Sequence, residues 1–176
     1  MSQLSELLSG FLNYPPISRV RRNHGLEHAT LHLLAERYPG RPWAGYSDLR
    51  GFWIIGDVDT DELEAIAREA LSRLNKGDNH LALHPFCGTN FATAGVLAGG
   101  AAALTMFGAG RRFRDKLDRL PLAMSLAIVG LFFAQPLGMT LQKQITTSGV
   151  PGTLRILRVT PQLRGQIKAH RVLTEG

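Results

Sequence analysis

Two long stretches of this chain carry no charge. Residues 91–110 (FATAGVLAGGAAALTMFGAG) and 120–142 (LPLAMSLAIVGLFFAQPLGMTLQ) contain no Asp, Glu, Lys or Arg. About 20 helical residues cross a hydrocarbon core, so each run is long enough to span a bilayer. The other reading is a pair of buried helices in a soluble protein. The first run, rich in Ala and Gly and only weakly hydrophobic, keeps that reading open. Two such runs back to back in a chain of 176 residues favour the membrane. A two-helix transmembrane hairpin is therefore expected over 91–142, with Gly95 and Gly99 letting its helices approach closely.

The flanking segments are ordinary in composition and read as a small α+β fold. Residues 1–90 form the main domain, and 143–176 a C-terminal strand and tail that returns toward it. MSQLSELLSGFLNYPP reads as a short amphipathic helix ending at Pro15-Pro16, without the positive n-region of a cleavable signal peptide. From Ile17 to about Tyr38 the pattern is helical and stops at Pro39-Gly40. Its apolar residues fall on two opposite sides, which marks a sandwiched helix. RPWAGYSDLRG reads as a loop and FWIIG (52–56) as a short strand with an edge open to an extended peptide. A third helix follows, capped by Asp59 or Thr60 and stopped by Gly77, with Leu63, Ile66, Ala67, Ala70, Leu71 and Leu74 as its buried stripe. HLALHPFCGTN begins as a strand and turns at Pro85, TLRILRVT (153–160) reads as another strand, and the last residues as a loosely held tail.

The net charge of +6 invites a nucleic-acid reading, but the basic residues lie in three separate groups. One precedes residue 23 (Arg19, Arg21, Arg22), one fills the link between the apolar runs (Arg111, Arg112, Arg114, Lys116, Arg119), and one lies on the tail. No reading module and no interleaved aromatics accompany them, so no nucleic-acid partner is expected. The basic link suits anionic lipid headgroups. The single cysteine, Cys87, excludes an intramolecular disulfide.

The chemistry sits in NHGLEHATLH, residues 23–32. Histidines four apart share a helix face, so His24 and His28 have the spacing of a bidentate zinc clamp. Glu27, about 60° around the axis from His24, is placed to take a proton from a metal-bound water. His24, Glu27 and His28 spell H-x-x-E-H, the inverted form of the protease motif H-E-x-x-H. Zinc needs a third protein ligand. His84 and Cys87 in HPFCGTN, His32, and the glutamates 62, 64 and 69 are the candidates. Set against this, an isolated H-x-x-E-H is more often accident than active site, His84 before a proline can end a strand, and Cys87 suits a small buried hydrophobe. His80 and His170 read as surface residues, and the glutamates as a solvated face.

RRNHGLEHATLH, then HPFCGTN, then two apolar runs, then LQKQITT together resemble a bacterial group. The pattern is similar to the YqhQ-like family of predicted metal-dependent membrane enzymes, which carry H-G-x-E-H and H-P-x-C-G-T segments. It more closely resembles the family called domain of unknown function 6391, over roughly residues 18–150. The resemblance implies that His24, Glu27 and His28 match the first motif and His84 and Cys87 the second. It implies no substrate.

The expectation is a membrane-anchored, zinc-dependent hydrolase of the peptidase kind, with Zn2+ on His24, His28 and either His84 or Cys87, and Glu27 as base. The alternative is a non-catalytic membrane protein whose structural metal takes four ligands. Expected partners are the lipid bilayer and a peptide or protein substrate, with a homo-oligomer left open. The expected location is the bacterial cytoplasmic (inner) membrane with the domain in the cytoplasm, although the basic link argues the opposite orientation.

Overall fold

The computed structural model describes residues 3–164 and 167–176. The fold is mixed α+β, with five α-helices and one four-stranded antiparallel sheet among the described residues. It divides into two compact units, Met1–His84 with Lys143–Gly176, and Pro85–Gln142.

The first unit holds α1 (Gln3–Asn13), α2 (Pro15–Arg37), β1 (Ala44–Asp48), β2 (Gly51–Ile55), α3 (Thr60–Asn75), β3 (Arg155–Arg164) and β4 (Ile167–Glu175). Helix α2 starts on prolines in its first turn, where a missing amide hydrogen costs nothing. Asp59 caps α3 by accepting from the amides of Asp61 and Glu62 at 2.9 and 3.3 Å. Gly77, at φ 101°, sits just past its end in the left-handed region. Leu26 and Leu34 of α2, Leu63 and Ile66 of α3, Phe52 and Ile54 of β2, and Val172 of β4 are wholly buried and form the core. The sandwiched character of α2 holds: it is buried continuously from Gly25 to Leu31.

The sheet order is β1-β2-β4-β3, and it corrects several expectations. RPWAGYSDLRG is not all loop. It contains β1, joined to β2 through Leu49 and Arg50, with Tyr46 stacked on Trp53 at 6.0 Å between ring centres. Strand β2 has a partner on each side, so FWIIG offers no edge; the outer strands are β1 and β3. The last residues are not a loose tail but β4, which lies between β2 and β3. Its charged residues hide it in the sequence, and in the fold they form ion pairs: Arg171 with Asp48 at 2.6 Å, Lys168 with Asp57 at 2.7 Å and Glu175 with Arg155 at 3.2 Å. Arg19, Arg21 and Arg22 serve the same return of the chain, donating to the carbonyls of Thr174, Thr147 and Pro151. HLALH is not a strand either. Asn79–Ala82 is a short 3-10 helix, in which the consecutive residues Leu81 and Ala82 are both buried, a pattern that alternation cannot produce.

The second unit consists of α4 (Gly88–Met106) and α5 (Phe113–Leu141). They run antiparallel: Gly138 lies against Asn90, Gly130 against Leu97, and Arg119 donates to the carbonyls of Thr105 and Phe107. The close approach is made by glycines of α5, not by Gly95 and Gly99, which meet nothing within 4 Å. A Cβ on Gly130 would lie 3.0 Å from the Leu97 carbonyl. Large apolar side chains face outward on both helices, among them Val96, Leu104 and Phe132, each more than 70% exposed. By length and composition one helix among the described residues qualifies to cross a membrane, Phe113–Thr146, with mean hydropathy 1.8. This is α5 continued by a wider π-helical segment, Gln142–Thr146. The expected pair of spans thus reduces to one helix that qualifies, because α4 is built so largely of Ala and Gly.

Candidate metal centre

The centre is built on α2, and its first requirement is Gly25. A glycine in a helix interior costs about 1 kcal/mol relative to alanine, so its presence needs a reason. A Cβ at this position would collide with the carbonyl of Ser148. Gly25 therefore lets the returning chain lie directly on the helix, where the Ser148 amide donates to the Arg21 carbonyl at 2.9 Å. That contact brings the Thr146 carbonyl to His24, whose Nδ1 lies 3.0 Å away.

His28, one turn on, makes the equivalent bond from the other side: its Nδ1 is 2.8 Å from the Ala82 carbonyl. A carbonyl oxygen only accepts, so in both rings Nδ1 carries a proton, which leaves Nε2 as the nitrogen that can ligate. This is the tautomer of an Nε2 metal ligand whose other nitrogen is held by the protein. The two rings sit 4.4 Å apart between centres. His84 joins them, with its ring 5.6 Å from that of His28. Two imidazoles on one tetrahedral zinc, with Zn–N near 2.0–2.1 Å, have ring centres about 5 Å apart. The His24–His28 and His28–His84 spacings lie on either side of that value.

His32 also borders the group, 4.9 Å from His84. Its Nε2, however, donates to the Leu83 carbonyl at 2.8 Å, so the nitrogen taken up by the main chain is the opposite one. Of the other candidates, Glu64 and Glu69 pair with Arg68 and Arg37, and Glu62 lies near the Tyr38 phenol, whose pKa it raises. His80 is exposed, as expected. His170 is not a surface residue: it is 3% exposed on β4, beside Thr60 Oγ1 at 3.2 Å. Cys87 lies in the second unit, buried at the N-terminus of α4, where its Sγ accepts from the Thr89 amide at 3.4 Å.

Glu27 is 3% exposed. Ser47 Oγ donates to its Oε2 at 2.8 Å from β1. Gly45, two residues earlier on the same strand, leaves room for the carboxylate; a Cβ there would stand 2.7 Å from Oε1. Burial pushes the Glu27 carboxyl above its ordinary range, opposed by the Ser47 hydrogen bond and the nearby His24. Burial also holds His28 neutral, its pKa lowered to about 3, with the charge of His24 acting the same way and the Ala82 carbonyl opposing. His84 is shifted downward by burial and by His32. Neutral imidazoles are the form that binds metal.

Residues 19–159 match the family described as Domain of unknown function (DUF6391). The chain belongs to this family. An uncharacterized protein of Picosynechococcus sp. is 38% identical over 144 residues, covering 73% of this chain and 66% of the relative, just under two thirds of its length. No solved structure matches the chain. The DUF6391 match spans every residue of the histidine group and Glu27, together with the helical unit.

The sequence named His24, Glu27, His28, His84 and Cys87; the first four lie in one unit, where His28 has ring contacts with His24 and His84, and Cys87 belongs to the other. The sequence did not name Gly25, Gly45, Ser47, Ala82 or Thr146. Only Gly25 gave a local signal, since a glycine inside a helical pattern marks close packing or a break.

Proposed function

We propose that this protein is a membrane-anchored, zinc-dependent hydrolase of peptide bonds, with His24 and His28 as ligands and Glu27 as general base. One observation carries the reading. Two histidines one turn apart are each turned by an Nδ1–H bond to a main-chain carbonyl, beside a buried carboxylate that is held instead by Ser47. Main-chain partners of this kind orient metal-bound histidines, and nitrogen donors with a carboxylate alongside suit zinc. His84 offers a third nitrogen from the same unit. Cys87, three residues further along the chain, is the other candidate. The likeness of the paired motifs to the YqhQ-like enzymes is in keeping with this choice.

A bound zinc would lower the pKa of a coordinated water to about 7. In that role Glu27 would accept the proton and return it to the leaving amine, a task that its burial-raised pKa favours. Ser47 keeps the carboxylate in one rotamer while this happens. The exposed apolar surface of α4 and α5 supports anchorage in a membrane, which we take to be the bacterial cytoplasmic one with the histidine-bearing unit in the cytoplasm. Ile128→Arg tests the anchorage: at an exposed position in water it is nearly neutral, whereas at a bilayer centre it costs about 2.5–3.5 kcal/mol. Loss of the variant from carbonate-washed membranes is expected; full retention removes the membrane reading.

The second reading is a closed, structural metal site. It is favoured by the number of candidate ligands, since His24, His28, His84 and Cys87 are one more than a catalytic zinc takes. Metal analysis of the purified protein tests both readings against a metal-free polar core. About one zinc per chain is expected, released by His24→Ala with His28→Ala. Stoichiometric metal in the double variant overturns the ligand assignment.

A further inference from the structure

The sheet has two outer strands, and they are treated differently. β3 is blunted: it carries Pro161, a register irregularity between Ile156 and Arg158, and exposed arginines at 155 and 158. Each of these devices discourages another strand from pairing. β1 (AGYSD) has no proline and no irregularity, and its one charge, Asp48, is taken up by Arg171 and by the Arg50 amide.

The direction of the β1 backbone groups follows from the pairing. Gly56 donates to the Lys168 carbonyl at 3.1 Å and Thr174 to the Arg50 carbonyl at 3.0 Å, so the even-numbered positions along β2 bond toward β4. The odd positions Gly51, Trp53 and Ile55 therefore bond toward β1, at Asp48, Tyr46 and Ala44. The amides and carbonyls of Gly45 and Ser47 point the other way, off the edge of the sheet. These are the same two residues whose inner sides face the Glu27 carboxylate.

We propose that an extended polypeptide segment adds to the outer edge of β1, hydrogen-bonded through its main chain to Gly45 and Ser47. The chemistry selects this ligand class. Donor and acceptor groups repeating every two residues, about 7 Å apart, match another extended peptide backbone. Tyr46, 47% exposed on the opposite face of the strand from Glu27, meets alternate side chains of the added segment. The proposal rests on the hydrolase reading for its consequence, because the added strand passes the residues that hold Glu27.

The test uses full-length, zinc-loaded, detergent-solubilised Glu27→Gln protein with β-casein as an unfolded polypeptide probe. Amide hydrogen exchange is followed residue by residue, and wild-type protein is assayed in parallel for casein cleavage. Slowing of at least about tenfold at Gly45 and Ser47, with Ala44 and Tyr46 unchanged, is expected, since only the first two amides gain partners. Unchanged exchange at Gly45 and Ser47 under saturating casein overturns the docking proposal, whether or not wild type cleaves. Protection at both residues without cleavage by the zinc-loaded wild type keeps the docking edge and removes the peptidase reading.

Discussion

Ser47 Oγ donates to Glu27 Oε2 at 2.8 Å, tying a sheet edge to a helix interior across twenty residues of chain. The bond is made to a carboxylate with almost no solvent access, so its loss has two consequences. Ser47→Ala leaves a buried acceptor short of a partner and should cost about 1–3 kcal/mol of unfolding free energy. The hydrogen bond also favours the ionised form, so its removal raises the Glu27 pKa further. The acidic limb of any hydrolytic pH profile should therefore move to higher pH. Chemical unfolding and pH–rate measurements on the variant check both effects.

Gly25→Ala separates helix propensity from packing. On propensity alone the substitution should stabilise α2 by about 1 kcal/mol. In this fold the new methyl collides with the Ser148 carbonyl and pushes residues 146–148 off the helix. The expected outcome is net destabilisation, with weaker zinc binding because His24 loses the Thr146 carbonyl. Thermal unfolding with chelator competition measures the two together. A stabilised variant with wild-type affinity contradicts the packing account.

His28 gives the metal-free protein a defined acid response. Its folded pKa, about 3, lies below its unfolded value of 6.5, so between those values the unfolded chain binds the extra proton. Stability from this group is therefore fully present above about pH 6.5 and is lost as pH falls toward 3. Chelator-stripped protein should melt at lower temperature at pH 5 than at pH 7. His28→Gln, which cannot titrate, should flatten that part of the difference; an unchanged pH slope contradicts the assignment.

Much of the centre was legible because a helix imposes its own geometry. The i, i+4 spacing of His24 and His28 fixes their common face whatever surrounds them. The buried stripe of α3 was readable for the same reason, and its cap was narrowed to Asp59 or Thr60, of which the structure uses Asp59. What was not legible depends on distant chain. Sheet order places the chemically mixed segment KAHRVLTE in an inner strand and displaces FWIIG from the edge, and no local pattern encodes that. The main-chain carbonyls that orient the histidines come from residues 82 and 146, which carry no side-chain signature. Gly95 and Gly99 looked like a packing motif, yet α5 turns Gly130 and Gly138 toward α4 instead.

The central claim is that Glu27 performs chemistry rather than holding the metal, and Glu27→Gln tests it most directly. The partner of Glu27 is Ser47, not a ring nitrogen of a ligand histidine, and glutamine still accepts from Ser47. Zinc affinity, measured by competition with a chelator, should stay within about threefold of wild type, while turnover of any cleaved peptide falls to background because an amide takes no proton. A 10- to 100-fold loss of zinc affinity would mark Glu27 as a support of the ligands and contradict the account.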